Sequence, residues 1–163
     1  MPLLSNLAKI KKINFFIKTI PKNNNILEIG SGDGWLKKYL VGNGWKNYVG
    51  IDTKPPSDII GDIKNWEGLG LKNESFDIII AFEVIEHIDC LKECYNLLKN
   101  NGLLMITSPV PYFDWICKLL ELIGLNQKRT STHKCVYFSK IPYFKPIKIK
   151  NVGFLAQWGI FKK

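Results

Sequence analysis

The run Ile26-Leu27-Glu28-Ile29-Gly30-Ser31-Gly32-Asp33-Gly34-Trp35-Leu36 constrains this chain more than any other stretch. A short apolar strand runs straight into three glycines at alternate positions and then into a helix read over residues 33–41, which Gly42 and Gly44 close. Glycine lets the backbone turn sharply and come close to a ligand with no Cβ in the way. A helix that starts there points free amide N–H groups at the same ligand. The dinucleotide fingerprint G-x-G-x-x-G would need its third glycine at position 35, where Trp35 stands; the third glycine arrives one residue early, at Gly34. Glu28, two residues before the first glycine, is poorly placed beside a pyrophosphate and well placed beside a ligand carrying a positive amino group.

The rest of the chain repeats the strand–helix alternation. Leu3, Leu7, Ile10 and Ile17 predict an amphipathic helix over 3–20, ended by Pro21 and the 23–25 asparagine run. Strands follow at 48–52 and 58–60, an irregular connection at 62–74, and an Ile-rich run at 76–82 whose continuous apolarity predicts a central parallel strand. A helix over 89–99, a strand over 103–107, a strongly apolar helix over 113–123 and a hairpin of 147–152 with 154–161 complete the reading. The expected fold is α/β: a single doubly wound, mostly parallel seven-stranded sheet closed by an antiparallel C-terminal hairpin. It forms one domain, 1–163, comprising an N-terminal helix (1–22), a ligand-binding core (25–109) and a substrate-side helix with the hairpin (110–163). Ligands of such sheets sit at the C-terminal strand ends, which points at Gly30, Asp52, Asp62 and Phe82.

Composition narrows the setting. With 163 residues, 46% of them apolar, the chain suits one domain with a substantial core. No apolar run reaches the roughly 18 residues of a membrane span, and the N-terminus lacks the pattern of a secretory signal. Four cysteines are too few for a disulfide scaffold and predict a reducing cytoplasm. Residues 1–22 carry five Lys and no acid, residues 122–163 nine basic groups and no acid, and the stretch between holds nine Lys and all 14 acids. Two readings of the basic ends stand: a surface for an anionic partner such as RNA, or a compositional bias, since 22 Lys accompany a single Arg, Arg129, and planar phosphate recognition favours Arg.

Asp52 ends the second strand, where a carboxylate can accept from both hydroxyls of a ribose or simply begin a turn. Asp62 can accept from an exocyclic adenine amine, with Ile63 offering a backbone N–H and an apolar wall. In order, the acid and Gly-rich turn, Val49-Gly50-Ile51-Asp52, Gly61-Asp62-Ile63, the segment 75–88 (SFDIIIAFEVIEHI) and the segment 98–109 (LKNNGLLMITSP) resemble the class I S-adenosylmethionine-dependent methyltransferases, and among them the small-molecule branch. The resemblance spans residues 25–109. It implies a Rossmann-like methyltransferase fold and S-adenosyl-L-methionine as cofactor. Glu28, Gly30, Ser31 and Gly32 would lie around the methionine moiety, Asp52 and Thr53 on the ribose, and Asp62 and Ile63 on the adenine, with backbone contact to the amino group near Phe82.

Alignment of nucleophile, methyl and sulfur then carries most of the catalysis; a base matters only for an acceptor that starts protonated. His87, in Glu83-Val84-Ile85-Glu86-His87, either serves as that base or packs the start of the following helix. Glu83 and His133 are substrate-side candidates. His87, Cys90 and Cys94 fall at i, i+3 and i+7 but lack the fourth ligand and the close cysteine pairing of a structural zinc site, so no metal is expected. The resemblance implies a small-molecule or lipid- or sugar-linked acceptor, with RNA or a catalytically silent cofactor-binding subunit as alternatives. The short chain leaves room for completion of the site by a partner subunit or a homodimer.

Overall fold

The structure, a computed structural model, describes residues 3–110, 136–153 and 156–163. Its centre is a seven-stranded sheet in the order β3-β2-β1-β4-β5-β7-β6, built from β1 (Ile26–Ile29), β2 (Tyr48–Asp52), β3 (Ile59–Ile60), β4 (Phe76–Phe82), β5 (Leu98–Pro109), β6 (Lys145–Val152) and β7 (Ala156–Lys162). The pairings β3–β2, β2–β1, β1–β4 and β4–β5 are parallel, and β7 runs antiparallel between β5 and β6. The expected doubly wound sheet and its closing hairpin are both present. The chain winds outward from β1 to β3 and then returns to place β4 on the other side of β1. That reversal opens a crevice above the C-terminal ends of β1 and β4.

Strand alternation divides the core into two layers. Ile26 of β1, Ile78 and Ile80 of β4 and Met105 of β5 face one side; Leu27, Ile79, Ala81, Leu104 and Ile106 face the other. The first side is covered by the π-turn Ile13–Ile17, which follows the N-terminal helix α1 (Leu3–Lys12), and by the helix α2 (Trp35–Gly42). The second is covered by α3 (Leu91–Leu97) and by the 138–144 segment, whose Phe138 packs edge-on against Phe161 at 5.7 Å. Burial on both faces is why the parallel strands read as unbroken apolar runs.

Three expected boundaries move, each for a packing reason. The helix expected over 3–20 gives way after Lys12 to the π-turn, which brings the consecutive residues Phe16 and Ile17 both into the core. Phe16 meets Phe82 at 4.9 Å and Trp158 at 5.6 Å. The helix expected over 33–41 starts at Trp35, because Gly34 occupies the left-handed region at φ +69°. The helix expected over 89–99 stops at Leu97, where Leu98 turns extended and pairs with Phe76. β5 is accordingly longer than the expected 103–107, since β4 and β7 satisfy its backbone on both sides.

Edge strand β6 is exposed along nearly its whole length, with Lys145, Pro146, Lys148 and Lys150 along it. Lysines and a proline on an open edge discourage pairing with another sheet. The helix expected over 113–123, with Cys117 and Cys135, lies outside the described residues. Among the described residues no helix is long and apolar enough to cross a membrane.

Candidate active site

The turn after β1 is fixed by its neighbours. Gly30 sits at φ +74°, its N–H donates to Ile51 O at 2.8 Å, and a Cβ on it would lie 2.5 Å from Val84 Cγ2. The loop after β4 therefore packs directly on the turn, and only glycine fits between them. At Gly32 (φ +53°) and Gly34 (φ +69°) nothing lies within 4 Å of the missing Cβ. The outer side of the turn is open to a ligand.

Asp52, at the end of β2, is tied to this turn: its Oδ2 accepts from the Gly32 N–H at 2.9 Å, and its Oδ1 receives Lys54 N at 3.3 Å and Thr53 Oγ1 at 3.4 Å. Asp62 follows β3 and caps the short 3-10 turn Ile63–Asn65, accepting from Lys64 N at 2.9 Å. The ends of β1, β2, β3 and β4 together frame a cleft of about 480 Å³. Gly30, Asp52, Thr53, Asp62, Ile63 and Phe82 line it, and Glu83 and His87 form its far wall. Ile51, Val84 and Ile88 add an apolar surface that the motifs did not announce.

Glu28 is buried beneath the turn, on the same face of the sheet as Ile26, and Tyr48 of β2 donates its phenol hydrogen to Glu28 Oε2. Burial pushes the Glu28 carboxyl up to about 8; the Tyr48 hydrogen bond opposes this, Asp33 and Asp52 add to it, and Lys12 opposes it. Burial and the adjoining Glu28 also drive the Tyr48 phenol well upward. Gly50 makes the arrangement possible, since a Cβ there would lie 2.8 Å from the Tyr48 hydroxyl and 3.0 Å from Ser31 Cβ. Ser31 turns its hydroxyl to Ser57 Oγ at 2.6 Å. The amides expected to be free at the start of α2 are partly used, because Trp35 N donates to Asp33 Oδ1 at 3.2 Å.

Past β4 the chain carries a strained residue. Glu83 has φ +57° and is held by β5: its N–H donates to Thr107 O at 3.0 Å, and the Thr107 hydroxyl donates to Glu83 Oε1 at 2.7 Å. Lys12 of α1 reaches over to the same Oε1 at 3.2 Å, and its ammonium lies 5.0 Å from the Phe82 ring centroid. Lys9 likewise joins Asp33 at 3.3 Å. Glu86 is 1% exposed, and the Ser108 hydroxyl stands near enough to ease the burial of its carboxyl. Burial, and then the charge of Glu83, push Glu86 up to about 7. Sequence reasoning missed Lys12, Tyr48 and Thr107, which no local motif marks. For Glu86 a signal existed: an acid set among Val84, Ile85 and Ile88.

Cys90 and Cys94 are both fully buried in the core, and among the described residues no group of three or more His, Cys, Asp or Glu side chains is placed to hold a metal ion. His133 lies outside the described residues.

A parallel sheet with a glycine turn at β1, acids at the ends of β2 and β3 and a cleft across the strand reversal defines a nucleoside-binding α/β protein. A methyltransferase-domain profile matches residues 5–144, and the chain belongs to that family. It is 25% identical over 120 residues to an uncharacterized methyltransferase of Schizosaccharomyces pombe, covering 63% of this chain and 48% of that protein. It is 31% identical over 110 residues to a histidine protein methyltransferase 1 homolog of Dictyostelium discoideum, covering 54% of this chain and 36% of that one. The matched stretches thus span half or less of these relatives' own lengths. Among solved structures, an S-adenosylmethionine-dependent methyltransferase from Methanosarcina mazei superposes with a TM-score of 0.65 at 14% identity, covering 88% of this chain and 94% of that one, a likeness of fold.

S-adenosylmethionine is the cofactor of this family, and the residues present fit it. The turn is open at Gly32 and Gly34, the carboxylates of Asp52 and Asp62 line the cleft as hydrogen-bond acceptors, and Ile51, Val84 and Ile88 give it an apolar wall, a set compatible with a nucleoside.

Proposed function

We propose that this chain transfers a methyl group from S-adenosylmethionine to a small-molecule or lipid- or sugar-linked acceptor that approaches over Glu83 and His87. The observation that carries this reading is the convergence of Gly30, Asp52, Thr53, Asp62, Ile63 and Phe82 on one cleft from four strand ends. Bound there, the cofactor supplies a methyl group already activated on a sulfonium. Asp52 and Thr53 hold the ribose hydroxyls, Asp62 and the Ile63 backbone hold the adenine edge, and Glu28, Ser31 and the glycines surround the methionine end near Phe82. Holding both reactants in one orientation accounts for most of the acceleration, on the order of 7–11 kcal/mol at best. His87 stands in the wall where an acceptor proton can be received.

Titration calorimetry with S-adenosylhomocysteine tests the reading. The chain should bind it and not NAD, and Asp52→Ala should weaken binding by about 10- to 100-fold, the loss of charge-assisted hydrogen bonds. Equal affinity of Asp52→Ala and the parent would remove Asp52 from the site. RNA as acceptor is supported by one feature, the lysines along exposed β6. Salt-sensitive retention on RNA would favour it over the small acceptor.

A further inference from the structure

We infer that the outer face of α1 docks on an anionic lipid surface, with Leu7 and Ile10 entering the bilayer interface and the lysines around them meeting the headgroups.

An amphipathic helix normally lays its apolar stripe on the core. In α1 the stripe is turned out: Leu7 is 45% and Ile10 54% exposed, and no described side chain of α1 joins either layer of the core. The basic side faces inward instead. Lys9 reaches Asp33 at 3.3 Å and lies 5.3 Å from the Trp35 ring centroid. Lys12 reaches Glu83 at 3.2 Å and lies 5.0 Å from the Phe82 ring centroid. Positions 7 and 10 precede 9 and 12 by two residues each, about 200° around a helix, so holding the two lysines in turns the apolar pair out.

Charge says what can cover that pair. Residues 1–22 carry five Lys and no acid. Lys11, one turn on from Leu7, is exposed, and so is Lys18 beyond the π-turn. Lys148 of β6 lies 4.7 Å from the Phe15 ring centroid, so the lysines of the β6 edge adjoin the same segment and the two acid-free ends of the sequence meet in space. Aliphatic side chains bordered by lysines, with no acid among them, match an interface that offers acyl chains below and negative headgroups above. RNA would gain from the lysines and nothing from Leu7 and Ile10, because its contacts are to phosphates, sugars and stacked bases. A neutral protein groove would take the apolar pair and leave the lysines unmatched.

Docking in this way would also aim the cleft. The inner side of α1 holds Glu83, which lines the cleft, so the rim stands about one helix diameter, roughly 10 Å, from the lipid surface. A lipid-linked acceptor is the kind that such docking presents, a consequence that rests on the methyl-transfer reading above; the docking itself does not.

Co-sedimentation of the full chain with vesicles tests the inference. Mixed phosphatidylcholine and phosphatidylglycerol vesicles should bind it at least tenfold more tightly than pure phosphatidylcholine, and the binding should weaken as salt is raised. Leu7→Ser combined with Ile10→Ser should weaken binding to the mixed vesicles at least tenfold. Lys11→Glu should weaken it about fivefold or more, the share of one lysine at an anionic surface. Both variants alter exposed positions, so their thermal unfolding and their titration with S-adenosylhomocysteine should match the parent. Failure to bind mixed vesicles, equal binding to both compositions, or affinity unchanged in both variants overturns the inference. A dimer, or retention on RNA, that the serine variant abolishes in the absence of vesicle binding overturns it as well and assigns the face to that partner. Failure of S-adenosylhomocysteine to bind would condemn the methyl-transfer reading, whereas its binding without vesicle binding would condemn only the docking.

Discussion

Glu28 makes the stability of the unliganded chain depend on pH in an unusual direction. Its carboxyl is raised from 4.5 to about 8, chiefly by burial. Between those values the folded chain binds a proton that the unfolded chain has released, so stability is fully present below 4.5 and falls as pH rises toward 8. Each tenfold change in proton affinity is worth about 1.4 kcal/mol, so the whole displacement amounts to a ceiling of about 5 kcal/mol. Local relaxation and water entry lower what is measured, and about 2–3 kcal/mol is the expected outcome at an effective dielectric above that of a dry interior. Glu86, raised from 4.5 to about 7 by burial and Glu83, adds a second loss of the same sign over a narrower window. The perturbation is Glu28→Gln, which keeps the shape and still accepts the Tyr48 hydrogen bond. Urea denaturation of parent and variant at pH 5, 6.5 and 8 is the assay. The parent should lose stability steadily, whereas the variant should keep only the part due to other groups and exceed the parent at pH 8. Parallel pH slopes for the two proteins would refute the argument.

Three further outcomes follow from packing and hydrogen bonding. Gly30→Ala should destabilise the chain by about 2 kcal/mol or more, since it combines left-handed strain with a Cβ 2.5 Å from Val84 Cγ2. Adding Val84→Ala should restore the steric part and leave the strain, a coupling that a double-mutant cycle reads directly. Gln157, 7% exposed, donates from Nε2 to both Pro109 O and Val136 O, tying the end of β5 to the stretch that leads into the 138–144 segment. Gln157→Ala should cost about 1–3 kcal/mol in thermal unfolding, and an unchanged melting temperature would refute that account. Gly159→Ala should cost about 1–3 kcal/mol, because its Cβ would lie 2.3 Å from Phe161 Cε2 and 2.8 Å from Phe138 Cδ2; an unchanged melting temperature would refute that packing account.

Much of the fold was legible because its signals are local. The apolar run at Phe76–Phe82, the glycines at 30, 32 and 34 and the alternation of strand and helix are properties of consecutive residues, and they indicate a doubly wound sheet with its ligand at the strand ends. The acids at 52 and 62 could be assigned to that crevice for the same reason: Asp52 closes one strand and Asp62 comes two residues after another. The boundaries that moved were set by partners far along the chain, such as Phe76 drawing Leu98 out of its helix and Trp158 with Phe82 holding Phe16 at the π-turn.

By itself, then, the sequence determined the sheet, its winding and the cleft, because hydrophobic period and glycine conformational freedom act over a few residues. Only the tertiary structure decided the chemistry around that cleft. Glu28 meets Tyr48 across 20 positions, Lys12 meets Glu83 across 71, and Thr107 reaches Glu83 across 24. Burial, which sets the protonation of Glu28 and Glu86, arises from what the whole fold removes from water. An acid's neighbours in sequence do not reveal that environment.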